Sequence, residues 1–160
     1  MTESTLSTPG ERTLALWHRT RTLPFGTQIF GILLGRLVPY SGSISPRVLA
    51  LEPGFARIEL RDRPRLRNHL NSIHAIALAN LGELTSGLAM TTVLPAGIKA
   101  IVTGIQIDYA KKARGRITAE SRVALPKLKT ETEHVVRAEM RDEADAVVAQ
   151  LAVRWRLRPA

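Results

Sequence analysis

The chain's 160 residues, 44% hydrophobic and 23% charged, describe one globular domain with room for a real core. The absence of cysteine excludes disulfides, thiolate nucleophiles and thiolate metal sites. A net charge of +9 invites anionic ligands, but eighteen of the twenty-three cations are arginines spread along the chain and aromatics total only 4%; with no helix-turn-helix or zinc-finger spacing, nucleic-acid binding is not expected.

Taken in order, residues 1–10 are rich in Ser and Thr with Pro9 and Gly10, and are expected to be disordered ahead of a single domain over 11–160. MTESTLSTPGERT lacks a basic start followed by an apolar run, so no signal peptide is read and the cytoplasm is the expected compartment. Two helices are predicted within 11–40. The first, over Glu11–Thr22, carries Leu14 and Trp17 with neighbouring basic residues; the second, after Pro24, gathers Phe25, Ile29, Phe30, Ile32, Leu33, Leu34 and Leu37 mostly on one side and stops before Pro39. They are expected to pack on the core, or to form a lid over an apolar substrate.

From Ser45 the period changes to two. Residues 47–52 and 55–61 read as strands joined by the Pro53-Gly54 turn, a hairpin that opens a core over 45–158. The run Arg61, Arg63, Arg65, Arg67, interleaved with Asp62 and Pro64, reads as a solvated loop. A helix follows, with Asn71 or Ser72 as its expected cap, and Pro95-Ala96-Gly97 ends it near Thr92. Four strands complete the chain. Ile101, Thr103, Ile105, Ile107 and Tyr109 are expected to share one face of the first, and Ile117, Ala119, Ser121, Val123 and Leu125 one face of the second. The third, Thr132–Arg141, has a blurred period; the fourth places Val147, Ala149, Leu151, Val153 and Trp155 on one side. A long apolar helix against an antiparallel sheet is an α+β layer, and a sheet that curls can bury the helix nearly all round.

That helix carries one anomaly. Between Arg67 and Lys99, Glu83 is the only Asp, Glu, Lys or Arg. A carboxylate wrapped in Ala, Leu and Ile either finds a partner or has its pKa driven up toward neutrality, and such groups in clefts are candidates for catalysis. The same stretch is broken by His74, Asn80, Gly82, Glu83, Thr85 and Ser86, so it is not read as a membrane span. The four histidines are scattered and His69 and His74 lack a carboxylate at ligand spacing, so no metal is expected. No cofactor motif of the G-x-G-x-x-G or P-loop type is present either.

Hairpin, long helix and antiparallel strands in this order resemble the hotdog fold, and RNHLNSIHAIALANLGE resembles the helix start of the phenylacetyl-CoA thioesterase type within the hotdog thioesterase superfamily. Members of that group carry an Asn, six residues later a His followed by two Gly, and an acidic residue nine after the His. Asn68, His74 and Glu83 meet both spacings, and IDYAKKARG resembles the same group's strand-end segment. Ala75 and Ile76 stand in place of the two glycines, and Val102 where some members carry a Ser or Thr. The resemblance covers about 47–158; almost the whole chain resembles an uncharacterised hotdog branch catalogued as a domain of unknown function.

This resemblance implies an acyl-CoA thioesterase, with a non-catalytic acyl-CoA or fatty-acyl binding protein as the alternative. Glu83 would be general base or nucleophile, Asn68 would orient water or substrate, and His74 with the Ala75 N–H would serve the helix-start oxyanion position. Lys111, Lys112 and Arg114, with Arg116, would hold the phosphates of coenzyme A. The structural alternatives are a Glu83 hydrogen-bonded to backbone or Ser86 at the interface, an Asx turn for Asn68, a cap or packing role for His74, and a solvated turn for the four cations. Spacing adds an independent point, because nine residues of regular helix set His74 and Glu83 roughly 180° and roughly 13 Å apart. One chain does not readily aim both at one atom; a two-fold homodimer, or a tetramer of dimers, does.

Overall fold

The computed structural model describes residues 8–128 and 130–159. Most of the segment expected to be disordered lies outside them, but Thr8, Pro9 and Gly10 open the first helix, α1 (Pro9–Thr20). Thr8 and Glu11 form a reciprocal capping box, each side chain accepting the other's backbone N–H, which satisfies two donors that a helix start otherwise leaves unpaired. Gly10 is buried because α1 stands on the far end of the central helix, where a Cβ would lie 2.2 Å from the Thr91 carbonyl oxygen. α2 (Gly26–Leu37) and the short α3 (Pro39–Gly42) follow. Trp17 meets Phe30 edge to ring with centroids 5.2 Å apart, joining α1 to α2 in the main core.

β1 (Arg47–Glu52) and β2 (Phe55–Arg61) form the expected hairpin, with Gly54 at φ +73 in its turn. The arginine run beyond it is not a free loop. Arg61 pairs with Glu59, Arg65 donates to Ser45, and Arg67 pairs with Asp62, whose carboxyl this guanidinium holds below its usual range.

The central helix, α4 (Ala75–Thr91), begins later than expected, and neither Asn71 nor Ser72 caps it. Asn71 sits at φ 53 inside a loop that Asn68 organises: the Asn68 Oδ1 accepts from the N–H groups of Leu70 and Ser72 and from the Ser72 hydroxyl. His74 is the cap, its Nδ1 accepting from the Ile76 N–H at 3.1 Å. Leu78, Leu81, Leu84, Leu88, Ala89 and Met90 of α4 are buried, whereas Ile76, Glu83 and Gly87 lie on the one side of the helix that is not fully covered. Gly82 lets the helix press on the sheet; a Cβ there would stand 3.0 Å from Leu151 and 3.1 Å from Met140.

One antiparallel sheet of six strands wraps this helix, in the order β1-β2-β4-β5-β6-β3, with β3 Ile98–Tyr109, β4 Arg116–Arg122, β5 Thr132–Arg141 and β6 Val147–Pro159. This is the α+β hotdog arrangement, with the N-terminal helices added at the β1 side. β3 does not pair with β4, its neighbour in sequence, but lies at the far edge against β6. The Ala110–Gly115 connection therefore crosses the end of the sheet beneath the start of α4, where the Ala113 carbonyl accepts the Ile73 N–H.

The face expected for β3 is corrected by a bulge between Val102 and Gly104. Ala100 and Val102 pair with Leu157 and Trp155 on the inner face; past the extra residue, Ile105, Ile107 and Tyr109 take that face opposite Val153, Leu151 and Ala149. Ile101, opposite Arg156, points outward and is exposed. β5 is more regular than its sequence suggests, with Val136, Ala138 and Met140 buried and the residues between them turned outward.

Candidate functional site

Two clusters of chemistry lie along α4, one at its start and one near its middle. At the start, His74 is exposed and its Nδ1 is engaged in the cap, which leaves Nε2 facing outward. Ala75 is the first helical residue. Its N–H has no acceptor among the described residues, while its carbonyl accepts the Tyr109 hydroxyl at 2.9 Å. A free N–H at the positive end of a 17-residue helix suits a developing oxyanion.

The crossing connection brings its cations to this end. The Arg114 Nε donates to the Asn71 carbonyl at 3.1 Å and its Nη2 reaches the Leu70 carbonyl at 3.4 Å. Lys111 forms an ion pair with Asp142 at 2.6 Å, and Arg116 one with Glu143. Lys112 alone of the four has no ion pair or hydrogen bond among the described residues. Three members of the expected phosphate-binding turn are thus already engaged by the fold.

Glu83 lies two turns further on, half-buried. No cation or hydrogen-bond donor reaches its carboxylate among the described residues, and desolvation alone pushes its pKa above the usual carboxylate value. Gly87, one turn below, leaves the space beside it open: a Cβ there would be 3.8 Å from the Glu83 Oε1 and 3.8 Å from the Trp155 Cζ2. The carboxylate and the indole therefore border one small space. The Trp155 Nε1 is buried with no hydrogen-bond partner among the described residues, a state that costs free energy unless something fills it.

The six expected site residues at the helix start and basic turn, Asn68, His74, Ala75, Lys111, Lys112 and Arg114, gather around one end of α4. Glu83 stands apart from them, about two turns of helix along. Within one chain the two halves do not meet. The open edge strand β3 lies beside the Glu83 side of the helix, and its inner-face residues Ile105 and Tyr109 remain 49% and 45% exposed. With Ile76 at 55% exposed, they make an apolar strip along α4 that a single chain leaves uncovered.

Sequence reasoning missed Tyr109, Gly87 and Trp155 as members of the site. Trp155 and Tyr109 both lie on faces recognised from the alternation, where they read as ordinary core; Gly87 lies one turn from Glu83 and carried no signal of its own.

A family model described as Domain of unknown function (DUF4442) matches residues 26–157. Among solved structures, the chain is similar to PA5026 from Pseudomonas aeruginosa, a protein of unknown function named a probable thioesterase, at 26% identity and TM-score 0.75, over 86% of this chain and 97% of that one. A variant of the Staphylococcus aureus thioesterase SAV0944 is similar at 14% identity and TM-score 0.66, over 76% of this chain and 99% of that one. A variant of the phenylacetic acid degradation protein PaaI from Thermus thermophilus is similar at 22% identity and TM-score 0.63, over 74% and 97%. The last two likenesses concern the fold alone. No curated protein matches the chain.

Proposed function

The chain belongs to the family described as Domain of unknown function (DUF4442), and from that premise and its hotdog fold we propose that it hydrolyses acyl thioesters, acyl-CoA among them, at a site completed across a homodimer. The observation that carries the reading is Glu83: a half-buried carboxylate, unpaired among the described residues, its pKa raised by burial, with the Trp155 indole across Gly87, on a helix with no other charge. A base with its pKa moved toward neutrality is suited to taking a proton from water. The name of PA5026, a probable thioesterase at 26% identity, supports the same chemistry.

In this reading the Glu83 carboxylate takes a proton from a water molecule as its oxygen attacks the thioester carbonyl carbon. The Ala75 N–H from the partner's helix start receives the oxyanion, and as the carbon–sulfur bond breaks Glu83 returns its proton to the leaving thiolate, releasing the thiol and the carboxylic acid. Lys112 and the outward Nε2 of His74 border the path by which the coenzyme end would leave. Asn68 is spent inside its own loop and positions His74 rather than the substrate.

Two observations favour the alternative, an acyl-CoA or fatty-acyl binding protein without turnover. Ile76 stands exposed at the helix start, and Lys111 and Arg114 are engaged by Asp142 and by backbone carbonyls. Glu83→Gln separates the readings. Turnover of a medium-chain or aromatic acyl-CoA is expected to fall on the order of 10²-fold with binding retained. Absence of hydrolysis by the wild-type protein across a panel of acyl-CoAs, with tight binding, would establish the alternative.

A further inference from the structure

A second cavity lies at the other side of the molecule. α2, α3 and the β1–β2 hairpin enclose about 520 Å³ at the β1 edge of the sheet, whereas Glu83 faces the β6–β3 side. That volume is within the range of small-molecule sites, roughly 300–1,000 Å³.

The charge of its lining does not balance. Arg47 and Glu59 are register partners on the hairpin and Arg61 follows two residues on, so all three project to the face away from α4, where Ile58 and Leu60 are buried. Glu59 is only 7% exposed; it accepts from the Arg61 Nε at 3.0 Å and lies 3.8 Å from the Arg47 Nη1. Arg47 also donates to the Thr27 hydroxyl. Arg63, half-buried, lines the same cavity, and its guanidinium has no ion pair or hydrogen bond among the described residues. Three guanidinium groups thus face one carboxylate, and the one that no partner holds is partly withdrawn from water. A planar guanidinium in that position is completed by an anion that can take two parallel hydrogen bonds.

The rest of the wall mixes Gln28, Ser43 and Ser45 with the glycines, prolines and Ile32 of α2, α3 and the segment before β1. Gly31 and Gly35 bring α2 so near its neighbours that a Cβ on Gly31 would lie 2.6 Å from the Pro46 carbonyl oxygen and one on Gly35 3.2 Å from the Gly42 Cα. Ile32, 60% exposed, forms the rim. A ligand made only of charge would leave this surface bare.

We propose that the cavity is a binding site, separate from the thioester site, for a small amphipathic anion whose carboxylate or phosphate head pairs with Arg63 and Arg61 and whose apolar body lies along α2 at Ile32. The assignment does not depend on whether Glu83 is catalytic.

The test is titration calorimetry on the full chain with octanoate, octyl phosphate and octanol. One or both anions bind and octanol does not; the tighter of the two identifies the head group. Arg63→Ala, which breaks no side-chain hydrogen bond or ion pair among the described residues, weakens anion binding about tenfold or more, and Ile32→Asp weakens it as well, with unchanged melting temperatures for both variants. Failure of both anions to bind, or affinity unchanged in Arg63→Ala, would overturn the assignment.

Discussion

Glu83 lies in surroundings that oppose its ionised form, and stability carries the mark of that opposition. Its pKa is raised in the folded state, so between the unfolded and folded values the folded chain binds more protons, and stability falls as pH rises through that window. Glu83→Gln removes this loss. The variant should melt above the wild type at pH 8, with the gap closing as the pH is lowered into the carboxylate range; thermal scans across pH measure it, and a penalty of about 1 kcal/mol would read as roughly 2–4 °C. A gap that widened at low pH would mean that Glu83 is stabilised by a partner. The residue stood out in the sequence because a lone charge in an apolar run is visible without coordinates. The unpartnered Trp155 Nε1 was not legible in the same way, since whether an indole N–H finds an acceptor is decided by neighbours that are distant along the chain.

Elements were legible where one period governs them, as in the hairpin, the central helix and β6. They were misread where a single residue breaks the rule: the Val102–Gly104 bulge inverts the faces of β3, and Asn68 draws Asn71 and Ser72 into its own loop, so that the cap falls to His74. Strand order was equally hidden, because the partner of β3 is chosen by where the 110–115 connection crosses the sheet. That connection is also where the basic turn divides into unequal parts. Lys111→Ala breaks the pair with Asp142, a carboxyl that Lys111 and the Ala144 and Ala146 N–H groups hold below its usual range. Such a depressed pKa stabilises the fold above the unfolded value and is lost as pH falls through the folded one, so the loss in Lys111→Ala should be full at pH 7 and shrink in acid. Arg114→Ala forfeits two hydrogen bonds to backbone carbonyls, at about 1 kcal/mol each. Lys112→Ala should leave the melting temperature unchanged while weakening acyl-CoA relative to acyl-pantetheine, which lacks the phosphates. Equal weakening of both ligands would remove Lys112 from phosphate binding.

At the scale of the whole molecule, the separation of Glu83 from the Ala75 N–H and the apolar strip of Ile76, Ile105 and Tyr109 lead to the same expectation, a homodimer joined along β3. Sedimentation at micromolar concentration should give a dimer or a closed multiple of it, and Ile105→Lys with Ile101→Lys should give a folded monomer with hydrolysis lost. A fully active monomer would remove the composite site. The two borders of the sheet differ in kind. β1 has α2 packed along it, with Gly31 against Pro46, whereas β3 offers a row of backbone groups to whatever approaches. A sheet that is open on both sides can lengthen without limit, one copy after another. Among the described residues this one is open only at β3, so the proposed pairing of its twelve-residue edge strand would also end it, with α2 as the stop at the other border.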